Sequence, residues 1–257
     1  MNPFNVPAPL ETLKDTYPTG PDILMVASQI AQQYRKAIVR LWLSEGIPFA
    51  FKELPVLYEV FRDALAEHLC VHPKEVTLVG SGRQGASIAG ARKCGKPFGE
   101  DSDLDWAVVS SLAFSQLGEE FTTWSRDYRD GSVHPRSPWE RRCWDNNLNE
   151  IPVSLRRGFI DLKRIPWWYR YPAAQGIAAK LWNLDALVRK NTSSPGFTRS
   201  TLRAYRDWSS FVRQMTLSLE CASRSFASMP ENVDGSLRGC DPSCKAVHGC
   251  GASHATA

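Results

Sequence analysis

No run of 18 apolar residues occurs anywhere in the 257-residue chain, so it offers no helical membrane span, and no membrane partner is expected. The opening Met1-Asn2-Pro3-Phe4-Asn5 has neither the basic nor the apolar region of a secretory leader, which makes the cytoplasm the expected compartment. Cysteine is sparse before the C-terminal tail. Cys70, Cys94, Cys143 and Cys221 are scattered, as reduced and mostly buried thiols are, and the total of seven is odd. A strong charge of one sign is also missing: 31 Lys and Arg against 27 Asp and Glu leave +4, which does not by itself indicate nucleic acid. No internal repeat is found. What remains is an ordinary globular composition, 43% hydrophobic and 23% charged, long enough for one domain or a core with a helical appendage.

The most informative stretch runs from Val76 to Val109. A short apolar strand (Val76, Leu78, Val79) meets Gly80-Ser81-Gly82. A glycine-broken segment follows, and then Asp103-Leu104-Asp105 enters the apolar run Trp106-Ala107-Val108-Val109. On a strand, alternate side chains share a face, so both carboxylates point the same way. At about 5 Å and an effective dielectric of about 20 their repulsion costs roughly 3 kcal/mol. A divalent cation removes that cost, and magnesium prefers one or two carboxylates plus substrate phosphates. Backbone N–H groups of the Gly-Ser turn suit those phosphates.

Gly80-Ser81 after a strand, with Asp103-Leu104-Asp105 opening another, resembles the signature of the nucleotidyltransferase superfamily related to DNA polymerase beta. The resemblance covers residues 76–109 and, more loosely, the chain to about 166; the connection from Ser81 to Asp103 is longer than that family's usual one. It implies an α+β fold, a small mixed β-sheet with flanking helices. It also implies two-metal transfer of a nucleotidyl group from a nucleoside triphosphate such as ATP, with Mg2+ or Mn2+ as cofactor. Asp103 and Asp105 would be catalytic metal ligands. Gly80, Ser81 and Gly82 would hold phosphates, and Arg83 would neutralise one. The superfamily commonly takes a third carboxylate from a later strand. Asp161, in Phe159-Ile160-Asp161-Leu162-Lys163, is the best candidate, set against an ordinary ion pair with a neighbouring Lys or Arg. Asp127, Asp130 and Asp145 are weaker, because none sits in a strand-like alternation. The acceptor is open: a nucleic-acid 3′ end, a protein hydroxyl, a small molecule such as an aminoglycoside, or a second nucleotide. A toxin, defence or resistance role, with a cognate antitoxin or defence partner, is an expectation at the family level only. A non-catalytic nucleotide- or RNA-binding module of the same fold is the alternative.

Two rival motifs overlap this stretch. Gly80-Ser81-Gly82-Arg83-Gln84-Gly85 matches the dinucleotide fingerprint, but Gly90, Gly95, Pro97 and Gly99 interrupt the helix that must follow. Asp103 and Asp105 also open the next strand, where the fingerprint needs an acid at a strand's end. Asp101-x-Asp103-x-Asp105 begins like a calcium loop, but Trp106 and Leu112 stand where that loop needs Gly and Glu.

Four regions are expected along the chain: an irregular, proline-rich arm over 1–20, a nucleotidyltransferase-like core over 21–170, a C-terminal helical cap over 171–228, and a disordered tail over 229–257. Apolar residues from Ile23 to Leu41 recur as one helix, and those from Leu54 to Leu69 as a second. A short helix is expected near Gln84–Ala89, a helix over about 112–129, and a helix with a turn over 139–157. Ala173–Val188 and Thr198–Phe226 read as the two cap helices, the latter carrying the basic row Arg199, Arg203, Arg206 and Arg213. Lys93 and Lys96 are weaker candidates for closing over the donor. The tail's Cys240, Cys244, His248, Cys250 and His254 match no common zinc spacing, and incidental thiols are the preferred reading.

Overall fold

The computed structural model describes residues 8–14, 18–88, 95–166, 170–190 and 195–227. Among these residues nine helices accompany one four-stranded mixed sheet, an α+β fold. Three helices open the chain: α1 (Ala8–Glu11), α2 (Gly20–Gln29) and α3 (Gln32–Leu41). Thr19 caps α2 in a reciprocal capping box with Asp22. The single helix expected from Ile23 to Leu41 is two, because Ile30 turns extended at the end of α2 and sinks into the core. Arg35 Nε, from α3, donates to the α2 carbonyl of Ala27 at 2.8 Å and satisfies one of the acceptors left open there.

Next come α4 (Pro55–Leu69), β1 (Val76–Val79), the one-turn α5 (Ser81–Gln84), β2 (Asp103–Val109), α6 (Ser111–Arg129) and α7 (Pro138–Arg156). The chain closes with β3 (Phe159–Asp161), α8 (Pro172–Arg189), β4 (Arg199–Tyr205) and α9 (Trp208–Ala227). The helix expected near Gln84–Ala89 thus lies earlier, and Ala86 forms a bridge with Pro97. The strand begun at Phe159 stops at Asp161 and tightens into a 3-10 turn over Leu162–Arg164, so Lys163 leaves the alternation.

The largest correction concerns the C-terminal cap. Thr198–Phe226 is not one helix: Arg199–Tyr205 is an interior strand of the sheet. Arg-Ser-Thr-Leu-Arg-Ala-Tyr fits period two as well as a helix, and Leu202 and Ala204 fill one face of the sheet while Tyr205 fills the other. Asp207 then accepts from Ser210 N at 2.7 Å, fixing where α9 begins. The region expected to cap the sheet therefore supplies one of its two central strands.

Strand order is β1-β2-β4-β3. β1 runs antiparallel to β2, β2 parallel to β4, and β3 antiparallel to β4. One face carries Leu78, Leu104, Trp106, Val108, Leu202 and Ala204, buried under α4, α6, α7 and α8. Trp106 stacks on Phe61, at 4.4 Å, and on Tyr58, at 5.9 Å between ring centroids, both from α4, and is core. The opposite face puts Ala107, Val109, Phe159 and Tyr205 against α2, α3 and α9.

Candidate functional site

That second face changes character along its strands. Toward the N-terminal end of β2 and β4 its apolar residues give way to Asp103 and Asp105 on β2, Arg199, Thr201 and Arg203 on β4, and Asp161 on β3. The register aligns Asp103 with Arg199, Asp105 with Thr201, and Asp161 with Arg203, so these side chains share the face.

The Gly-Ser turn meets the carboxylates directly. Val79 pairs with Asp105, and Gly80 turns the chain with φ +69°. A Cβ at Gly80 would stand 2.8 Å from Asp105 Oδ2, so both the left-handed backbone and the close approach call for glycine. Ser81 and Gly82 open α5, where helix geometry leaves N–H groups without internal partners.

Asp105 Oδ1 accepts from Thr201 Oγ1 at 2.8 Å. Burial raises the Asp105 pKa above the usual carboxylate value; the Thr201 hydrogen bond and the charge of Lys163 pull it back, and Asp103 pushes it up again. Asp103 is more open. Its Oδ1 lies 3.5 Å from Arg199 Nε, longer than a normal N–H···O hydrogen bond, and the two side chains are 31% and 34% exposed. Behind them, Asp185 of α8 accepts from Ser200 N at 2.7 Å and Ser200 Oγ at 2.5 Å, and Trp106 Nε1 donates to Ser200 Oγ at 3.3 Å. These bonds anchor the start of β4 to α8 and β2.

Asp161 is not brought to the pair. It lies on a later strand and on the same face, but β4 stands between β3 and the strand that carries Asp103 and Asp105. Two strand spacings across and two residues along separate the Cα atoms of Asp161 and Asp105 by roughly 12 Å. Asp161 instead takes Arg203 in a two-pronged pair, Nε at 2.6 Å and Nη2 at 3.2 Å, with Arg164 Nε at 3.6 Å. Burial alone would raise its pKa; the charge and hydrogen bonds of Arg203 overcome that and leave it lowered. This is the ion-pair alternative set out above.

Arg83 is likewise corrected. It is 4% exposed, and its guanidinium donates to the carbonyls of Leu78 at 2.5 Å and Glu45 at 2.6 Å and to Thr77 Oγ1 at 2.9 Å. With Nη1 and Nη2 also 3.4 Å from the Gly46 carbonyl, it ties β1 to the loop before α4 and points its donors inward. Asp127 and Asp145 accept from Tyr171 and Tyr128 respectively. Among the described residues no group of three or more His, Cys, Asp or Glu is placed to hold a metal ion. Lys93 and the tail's Cys240, Cys244, His248, Cys250 and His254 lie outside the described residues. No helix among the described residues is long and apolar enough to cross a membrane.

Thr201 is the neighbour of the pair that the sequence reading missed, and Arg199, read there as part of a basic helical row, lies on β4 beside Asp103. The signal was present: a charged or polar residue at 199, 201 and 203 against Leu202 and Ala204 is strand alternation. Comparison with family models, curated proteins and solved structures finds no match.

Proposed function

We propose that this protein is a metal-dependent nucleotidyltransferase. It would move a nucleotidyl group from a nucleoside triphosphate such as ATP to a hydroxyl acceptor, with release of pyrophosphate. The observation that carries the reading is the contact between the Gly80-Ser81 turn and Asp105, with Asp103 beside it on the same face at the partly exposed start of β2. A partly buried carboxylate beside a second one, with desolvation raising its pKa and Thr201 as its hydroxyl donor among the described residues, fits a cation as a further partner.

Asp103 and Asp105 would hold Mg2+ or Mn2+, with substrate oxygens completing the shell. When bound, the ion would neutralise phosphate charge and acidify the acceptor hydroxyl. Ser81 and the N–H groups of Ser81 and Gly82 would orient the phosphates, and Gly80 keeps their approach clear. In the transfer the acceptor oxygen would bond to the α-phosphorus and release its proton to solvent water, while the bond from that phosphorus to the α–β bridging oxygen breaks and pyrophosphate leaves with that oxygen. Asp161 and Arg83 are left out of this scheme.

Incubation with each labelled triphosphate, magnesium and a cell extract should label one class of molecule, and Asp105→Asn should abolish it. A second reading, a nucleotide- or RNA-binding module without turnover, is favoured by Thr201 facing Asp105 where a third carboxylate would complete the set. Calorimetric binding of a triphosphate that is tight with or without magnesium, together with no labelled product, would decide for that module.

A further inference from the structure

We propose that Arg157, Arg206 and Arg213, with Trp208 beside them, form a docking surface for a single-stranded nucleic acid, which serves as the hydroxyl acceptor. The surface stands on its own observations; the strand's role as acceptor rests on the nucleotidyltransferase reading.

Two segments distant in the chain meet at this surface. Arg157 caps the C-terminal end of α7, and Arg206 and Arg213 flank the start of α9. Arg206 N donates to the Gly158 carbonyl at 2.9 Å, and Arg213 Nη2 to the Arg157 carbonyl at 3.2 Å. Gly158 permits the approach: its φ is +83°, and a Cβ there would collide with Ser210 Oγ and stand 3.7 Å from the Arg206 guanidinium carbon. The Arg157 guanidinium lies 5.9 Å from the centre of the Phe159 ring. Arg206 and Arg213 are exposed, Arg157 is half-buried, and exposed Arg156 adds a fourth positive charge. Within residues 154–158 and 206–213 the only acid is Asp207, which pairs with Arg206 Nε at 2.9 Å. Among the described residues no ion pair joins Arg157 or Arg213 to a carboxylate.

Stability does not account for this gathering. One arginine, Arg213, serves the carbonyl end of α7, and Arg206 sits at the N-terminal end of α9, where the helix dipole disfavours a cation. Like charges collected on one surface repel, and a polyanion removes that cost. Arginine's planar fork takes a phosphate in two-pronged fashion. Trp208, the first residue of α9, is 41% exposed and held edge-on by Phe211 at 5.4 Å, which gives a base a fixed ring to stack on. The register ties this surface to the carboxylates. Tyr205 lies four residues along β4 from Thr201, the partner of Asp105, a distance of about 13 Å. β3 begins just past Arg157 and runs antiparallel to β4, back toward the level of Thr201. Exposed Lys163 follows its end, and its charge acts on both Asp161 and Asp105. Cationic groups thus accompany a strand of a few nucleotides from the docking surface to the pair.

The full chain is titrated against a labelled single strand of about 16 nucleotides, as RNA and as DNA, at stepped salt, with phosphatidylserine vesicles as a second anionic surface. Wild type should bind the strand, and log affinity should fall linearly with log salt by about 0.7 per phosphate contact. Arg206→Gln combined with Arg213→Gln should weaken binding at least roughly tenfold and reduce that slope by about 1.4. Arg206→Lys combined with Arg213→Lys should keep the slope, which separates lost charge from lost fold. Trp208→Ala should weaken binding at least about fivefold with the slope unchanged, because stacking is not ionic. Wild type that leaves the strand unbound, or that binds the vesicles alone, overturns the surface. So does a glutamine pair that melts like wild type and keeps its salt slope. Strand binding that Asp105→Asn leaves intact, with no labelled product from wild type, keeps the surface and overturns the acceptor role together with the reading beneath it. Labelled product on another class of molecule, with the strand unbound, overturns the surface and leaves that reading standing.

Discussion

The two faces of one four-stranded sheet are built to opposite standards. Under α4, α6, α7 and α8, β2 and β4 present Leu104, Trp106, Val108, Leu202 and Ala204, each with at most 1% of its surface exposed. On the other face the same strands carry Asp103, Asp105, Arg199 and Thr201 before they reach the apolar Ala107, Val109 and Tyr205. Side-chain alternation makes the contrast obligatory: each charged position is one residue from a core position. A sheet so heavily anchored on one side can hold like charges together on the other. The lesson is that the first face should govern folding and the second chemistry, and substitutions can test that division.

The largest separation is expected at the carboxylates. Asp103→Asn and Asp105→Asn should each lower the proposed nucleotidyl transfer by orders of magnitude, measured as labelled product. Without metal the melting temperature should hold or rise slightly, because a like charge is removed from an unliganded pair. A variant that loses several degrees in the absence of metal would show the pair to be structural. On the opposite face, Trp106→Ala should destabilise by about 3–5 kcal/mol, since it removes the ring stacked on Phe61 and Tyr58. A denaturant titration reads that directly.

Asp161 tests the boundary between the faces, because it lies on the polar one but is bonded like a core residue. Removing one partner of a buried ion pair costs about 3–5 kcal/mol, since the other charge stays behind. Arg203 would be that orphan, so Asp161→Ala should lower stability on this scale while turnover per folded molecule stays near wild type. Unchanged stability with turnover cut by orders of magnitude would return Asp161 to the catalytic set.

The sequence made some of this legible and hid the rest for identifiable reasons. Asp103 and Asp105 were readable because two carboxylates entering an apolar strand behind a Gly-Ser turn form a local pattern, and all the contacts that define it lie within residues 76–109. The helix α4 was readable from its apolar stripe, bounded by Pro55. β4 was not, since a seven-residue run with apolar positions at 202, 204 and 205 satisfies both periods, and its role depends on pairing with β2, about 95 residues earlier in the chain. With β4 hidden, the neighbours of Asp105 and Asp161 could not be known. Thr201 and Arg203 are those neighbours, and each decides what its carboxylate does. Arg83 misled for a related reason: next to a phosphate-like turn it looks available, and only the fold shows its guanidinium closed on backbone carbonyls.

The smallest effect concerns the Thr201 hydroxyl, and pH reveals it. Asp105 has a pKa raised by burial, so its ionised form is the costly one in the folded apo protein. As pH falls through that raised value, the folded state takes up a proton before the unfolded chain does, and the apo protein gains stability. The proposed cation binding needs the carboxylate and should be lost over the same window, above the ordinary value of 3.8. Asp161 behaves in the opposite sense: its pKa is lowered, so the stability it supplies is complete above 3.8 and is lost only below it. The two carboxylates therefore act in different pH windows. Thr201→Val deletes the one hydroxyl hydrogen bond that favours the Asp105 anion, worth about 0.5–1.5 kcal/mol, or up to about one pKa unit. Mn2+ titrations at stepped pH should then fail at a higher pH for Thr201→Val than for wild type. Asp105→Asn removes the titrating group and controls for Asp185, whose pKa burial also raises. Superimposed curves for wild type and Thr201→Val would mean that Thr201 supports the strand pairing and leaves the charge of Asp105 untouched.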